Sequence, residues 1–142
     1  MKTIKLKNES IHRVLNLLEK VSMKNKASRG KIKFMKKLQE KDEELLEGRM
    51  DLQKEYFLQD EHGDFIVGED NSLVYKDEGS QNKKDEFVSR LVELMHEKFE
   101  ISFSEYAEKF EAMFEVLDNL DMELLEDALA YDELMDAYEN ND

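Results

Sequence analysis

Apolar residues return at helical spacing along most of this chain, with short alternating stretches between them. The longest periodic stretch covers 25–59. Met35, Leu38, Leu45, Leu52 and Tyr56 recur there in alternating threes and fours. Asp42 and Arg49 interrupt that frame, so it predicts one long amphipathic helix rather than a coiled-coil seam. Gly48 is the place where such a helix would bend. Gly30 weakens an early turn by up to about 1 kcal/mol relative to alanine.

The flanking elements follow in order. Residues 2–8 alternate, with Ile4 and Leu6 on one side and lysines on the other. This is a short strand suited to a sheet edge, where lysines discourage pairing with other chains. Ile11, Val14, Leu15, Leu18 and Val21 define a helix ending near Ser22, with Asn8 or Ser10 as its cap. Phe65-Ile66-Val67 and Leu73-Val74-Tyr75 flank a Gly/Asp/Asn cluster and predict a hairpin near 64–76, inside an insertion at 60–80. A lone hairpin is marginal in water, so this one has to lie against helices.

Phe87, Val88, Leu91, Val92, Leu94, Met95 and Phe99 form a wide apolar face and predict a helix over 81–99. Residues 101–103 alternate briefly and offer a partner strand for 2–7. Ser104 caps a helix carrying Tyr106, Phe110, Met113, Phe114 and Leu117. Asp121 caps a last helix carrying Leu124, Ala128, Tyr131, Met135 and Tyr138. The expected fold is therefore mainly α, a single domain over 1–142. About five helices surround the long one at 25–59, with a small β element from the hairpin and the N-terminal strand.

Composition supports a packed domain. With 142 residues and a 40% apolar share, the chain is long enough for a sizeable core. It lacks cysteine, which excludes disulfides and thiolate metal sites. No apolar run approaches the roughly 18 residues of a membrane span, and the alternating start is no signal peptide. A cytoplasmic protein is expected.

The net charge of −14 hides an asymmetry. Residues 1–40 carry 12 Lys/Arg against 3 Asp/Glu, a net of +9, and residues 41–142 carry 9 against 32, a net of −23. Lys24, Lys26, Arg29, Lys31, Lys33, Lys36 and Lys37 form a basic face at the start of the long helix. Either it folds back on the acidic helices or stays solvated, or it meets phosphates. Phe34 is the only aromatic in that stretch, which leaves it without a stacking platform. Opposite in sign are Glu105, Glu108, Glu111, Glu115, Asp118, Glu123, Glu126, Asp127, Asp132, Glu133 and Asp136. They are either solubilising charge, a surface for a basic partner, or an imitation of a phosphate row.

No constellation for catalysis assembles. His12, His62 and His96 sit in unrelated contexts, and carboxylates are too numerous for any pair to stand out as acid and base. Glu93 and His96 have the Glu-x-x-His spacing of di-iron bundles, which need two such motifs. Residues 60–71 are rich in oxygen ligands, but counting from Asp60 puts Phe65 at the glycine position and Asn71 at the glutamate position of a calcium loop. No catalytic, cofactor-binding or metal-binding residue is expected, and the chain is not expected to be an enzyme.

The order of elements, Lys26-Ala27-Ser28-Arg29 opening the long helix, the acidic stretch at 60–64 and Ala130-Tyr131-Asp132-x-x-Met135 near the end resemble domain of unknown function 1617. This is a family of small proteins from tailed phages and prophages of low-GC Gram-positive bacteria. The resemblance covers most of the chain. It implies a phage origin, an α-rich fold and a place in the bacterial host cytoplasm or the virion, and it supplies no catalytic residues. The favoured reading is a non-enzymatic interaction factor, either a minor virion or assembly protein or a modulator of a host or defence protein. Its expected partner is another protein, with a basic or nucleic-acid-binding one among the candidates; no membrane is expected to be involved, and a homo-oligomer is compatible with the pattern. The alternatives are an acidic nucleic-acid mimic that inhibits a host protein, and nucleic-acid contact through the basic segment 24–41.

Overall fold

A computed structural model describes residues 2–77 and 81–140. Among them are five α-helices and one two-stranded sheet. The order is β1 (Thr3–Lys7), α1 (Ile11–Lys20), α2 (Asn25–Tyr56), α3 (Gln81–His96), β2 (Lys98–Ser102), α4 (Ala107–Asp118) and α5 (Ala128–Glu139). The mainly helical class, the long helix and the N-terminal strand agree with the sequence. Residues 78–80 of the 60–80 insertion lie outside the described residues. Contacts divide the chain into two compact units, Met1–Glu43 with Glu97–Asp142, and Glu44–His96.

In the first unit β1 pairs antiparallel with β2, with Ile4 opposite Ile101 and Leu6 opposite Phe99. Phe99 belongs to this strand and not to the preceding helix, which ends at His96. The buried faces of both strands meet Val14, Leu17 and Leu18 of α1, Phe34 and Leu38 of α2, Phe110, Met113, Phe114 and Leu117 of α4, and Leu134 of α5. Phe34, from the basic stretch, is fully buried. Its ring meets Phe110 and Phe114 edge-on at 5.5 and 5.9 Å. Such edge-to-face pairs add about 0.5–1.5 kcal/mol beyond burial. Phe114 in turn stacks on Tyr138 at 4.2 Å.

Two expected caps serve other ends. Ser10 makes no cap bond at the start of α1; its hydroxyl donates to Glu133. The last helix begins at Ala128 rather than after Asp121, because a 3-10 turn at Leu125–Asp127 comes first.

The second unit holds the end of α2, the segment 57–77 and α3. Helix α2 is continuous through Gly48 and stops at Tyr56, short of residue 59, because the chain turns into bridges there. Phe57 bridges Tyr75, Gln59 bridges Phe65, and Val67 bridges Leu73. The expected hairpin is thus one side of a three-sided arrangement. Leu58 N–H donates to the Val74 carbonyl at 2.8 Å, Val74 N–H to Ile66 at 3.1 Å, and Ile66 N–H back to Leu58 at 3.1 Å. The ring closes on itself and satisfies backbone groups that a lone hairpin leaves open. It has a period of eight residues in the chain. Asp60 and Gly68 start matching turns, and Gly63 and Asn71 end them at φ of 86° and 65°. Phe57, Phe65, Leu73 and Tyr75 pack with Leu52, Tyr56, Phe87 and Leu91 as the core of this unit.

The two helical glycines have opposite surroundings. A Cβ on Gly30 would lie 2.1 Å from the carbonyl oxygen of Lys109, so α2 and α4 cross backbone to backbone there. At Gly48 a Cβ would meet only Leu94 methyls, at 3.6 and 3.7 Å. Gly30→Ala is therefore expected to destabilise by about 1–3 kcal/mol through forced overpacking. Gly48→Ala is expected to be neutral or to stabilise by up to about 1 kcal/mol through helix propensity. Urea midpoints of the two variants check the contrast; equal shifts of the same sign would refute this account of the crossing.

Candidate functional site

The candidate carboxylates fall into two groups. Those of the first contact cations of the same chain, Glu108 from an exposed position. Glu111 receives Lys2 Nζ at 2.6 Å and the Tyr138 hydroxyl. Glu133 receives Arg13 Nη2 at 2.8 Å and the Ser10 hydroxyl. Asp127 receives Lys20 Nζ at 2.8 Å, and Glu108 lies 3.6 Å from Lys26. These contacts tie the N-terminal elements β1, α1 and the start of α2 onto α4, α5 and the turn between them. Glu105, Glu115, Asp118, Glu123, Glu126, Asp132 and Asp136 form the second group. They are exposed and make no ion pair with another described residue.

Part of that second group lies near exposed apolar side chains in the chain. Met122, Leu125 and Leu129 are 45%, 74% and 56% exposed. Leu125 has φ of 43°, a region L-residues seldom adopt, within the turn that precedes α5. Leu129, Asp132 and Asp136 share one face of α5 by their spacing. Glu123 and Glu126 lie beside Met122 and Leu125 in the chain. No Lys or Arg follows Lys109 in the sequence. Three exposed apolar side chains thus lie close together in the chain among acidic residues, with Lys20 bonded to Asp127 beside them. Acidic residues were legible in the sequence, and Met122, Leu125 and Leu129 fall outside the apolar stripe that spacing marks for the last helix; how far they are exposed is seen only in the structure.

The basic face is partly held by contacts within the chain and partly solvated. Lys26 reaches Glu108, and Lys31 Nζ donates to the Val21 carbonyl at 2.9 Å. Lys24, Arg29 and Lys36 are exposed, and like Lys33 and Lys37 they make no ion pair with a described residue. Lys33 and Lys37 stand over the ring of Tyr106 at 4.7 and 5.7 Å, joined by Lys109 at 5.8 Å. The stretch has no exposed aromatic of its own; the half-buried Tyr106, in the turn before α4, lies beside it.

A cleft of about 540 Å³ lies along β1 and α5, lined in part by Lys5, Lys7, Lys98, Glu133 and Asp136. Its walls carry both signs of charge. Lys7 and Lys98 face each other across the strands, a like-charge pairing that costs stability. Among the described residues no three His, Asp or Glu side chains are grouped to hold a metal, and no helix is long and apolar enough to cross a membrane. His12 lies 3.0 Å from Asp42, and His96 ends α3.

The fold is thus a helical scaffold with a small sheet and charged surfaces. The family model for Protein of unknown function (DUF1617) matches residues 1–142, and the chain belongs to this family. Comparison with curated proteins and with solved structures found no match.

The Glu111 contacts make stability depend on pH. Partial burial pushes its carboxyl up, but hydrogen bonds from Lys2 and Tyr138 outweigh that and hold it below the ordinary carboxylate range. Its contribution is therefore full above the unfolded value of about 4.3 and is lost as pH falls through the lower folded value. Glu111→Gln is expected to cost up to about 1 kcal/mol at neutral pH, kept small because both partners are partly solvated. The difference from wild type should shrink in acid. Denaturant titrations at neutral and at acid pH check this, and a constant difference would rule out a role for the carboxylate charge.

Proposed function

We propose that this is a non-enzymatic interaction protein of phage origin that docks a basic, amphipathic segment of another protein. The observation that supports this reading is the exposure of Met122, Leu125 and Leu129 near the exposed Glu123, Glu126, Asp132 and Asp136. Exposed apolar area of this kind favours a partner, and acidic neighbours select cationic flanks while repelling acidic surfaces. The strained backbone at Leu125 holds its side chain in water, a cost that a binding role explains.

The partner is either a component of the virion or its assembly, or a host or defence protein whose activity is modulated. A nucleic-acid mimic has less support. Glu108, Glu111, Asp127 and Glu133 would belong to its carboxylate row and are instead engaged by cations of the same chain. The place of action on this reading is the host cytoplasm or the virion.

The test is capture from phage-infected cells with the wild-type chain, with Leu125→Ser, and with the triple reversal Glu123→Lys, Glu126→Lys, Asp132→Lys. One partner with a basic amphipathic segment is expected with wild type and is lost with both variants. Titration of the purified partner should show at least about a tenfold weaker affinity, which is about 1.4 kcal/mol. Circular dichroism should be unchanged. A partner retained by both variants would overturn the assignment of this surface. Recovery of the chain in purified virions would decide between the structural and the modulator roles.

A further inference from the structure

We infer that the flank of α2 carrying Arg29, Lys33 and Lys37, completed by Lys109 and Tyr106, binds the phosphate backbone of single-stranded nucleic acid. This surface is separate from the acidic residues at 123–136 and stands on different observations. Arg29, Lys33 and Lys37 follow one another at four-residue intervals, so they line one flank at steps of about 6 Å along the helix axis. Lys26 continues the same flank at its N-terminal end. None of Arg29, Lys33, Lys37 and Lys109 has an ion pair with a described residue. This holds although the chain carries 35 acidic residues.

The place of Lys109 and Tyr106 follows from the close crossing at Gly30, where α2 rests on the Lys109 backbone. That contact brings three ammonium groups within 5.8 Å of one half-buried ring. Three like charges gathered this closely repel each other, and the ring offsets only part of that. A polyanion would relieve the repulsion. A cationic track beside an aromatic ring is what single-strand sites combine; here the lysines over the Tyr106 ring have to turn to phosphates before a base can meet it.

The net charge of −14 does not forbid this. At physiological salt the Debye length is about 8 Å, so exposed carboxylates farther away are largely screened. Glu108 and Glu105 are the acidic residues nearest in the chain to Tyr106 and Lys109. They limit affinity, and they favour a flexible strand that can avoid them over a rigid duplex. An acidic protein, including a second copy of this chain, is the competing occupant.

The test uses a fluorescein-labelled oligothymidylate of about 20 nucleotides and the full-length chain. Anisotropy is measured at about 50 and 200 mM salt. Wild type should bind at the lower salt and weaken steeply at the higher. The triple variant Lys33→Gln, Lys37→Gln, Lys109→Gln should bind at least about tenfold more weakly. Its salt slope should fall by about 2, since each lost phosphate contact removes about 0.7. Tyr106→Leu should weaken binding about fivefold or more with the slope kept. Lys83→Gln with Lys84→Gln, in the other unit, should change affinity by less than about twofold against that tenfold loss.

Unchanged circular dichroism shows that the variants are folded. Absence of binding by wild type at low salt, or a triple variant that binds like wild type, would overturn the inference. So would displacement of the strand by polyglutamate of matched charge at equal concentration, which would assign the flank to an acidic protein.

Discussion

The crossing of α2 over α4 at Gly30 is the constraint on which the first unit depends. Only a residue without a side chain lets the two backbones come this close. The approach sets the height of Phe34 above α4, and Phe34 is what Phe110 and Phe114 close around. The same approach lines up the outer flank of α2 with Lys109 and Tyr106. One missing methyl group thus governs both the packing beneath the helix and the charge pattern on its surface.

The cations of the N-terminal region divide by element. Lys2, Arg13 and Lys20, on or beside β1 and α1, turn toward carboxylates of α4, α5 and the turn between them. Those on α2 mostly do not. The charge asymmetry along the chain therefore has two physical meanings: part is internal attachment and part is surface. Exposed pairs contribute little each. Those that also take a tyrosine or serine hydroxyl, at Glu111 and Glu133, are the ones that fix geometry.

Much of the fold was legible because it rests on local periodicity. Helices α1, α2 and α4 bury most of the stripe that their spacing marks, and the alternation of residues 3–7 identifies an edge strand; α5 buries Met135 of its stripe but leaves Ala128 exposed, and the wide apolar face expected of α3 is not buried, with Val88 and Val92 exposed. What escaped depends on contacts distant in sequence. Phe34 looks like one aromatic in a basic segment until α4 is placed over it. Ser10 looks like a cap until Glu133 reaches it from 123 positions away. The three-sided ring was within reach of the sequence, since Leu58, Ile66 and Val74 recur every eighth residue, with Gly63 and Asn71 repeating the turn. The hairpin pattern used two of those segments and left the third inside the end of the long helix. The surfaces were legible as charge and not as shape. Residue types alone do not say which carboxylates are satisfied internally or which leucines stay in water.

The pairing of β1 with β2 joins residues 3–7 to residues 98–102, with the whole of the second unit between them. That unit is continuous in sequence, and its ring and helices are built from near neighbours. Contacts of short separation form early, while those that close a long loop wait for it. During synthesis the segment 44–96 can be complete while β1 and α1 still lack their partners. The lysine-rich β1 then spends that interval with its backbone unpaired, and its alternate cations keep it soluble until β2 emerges.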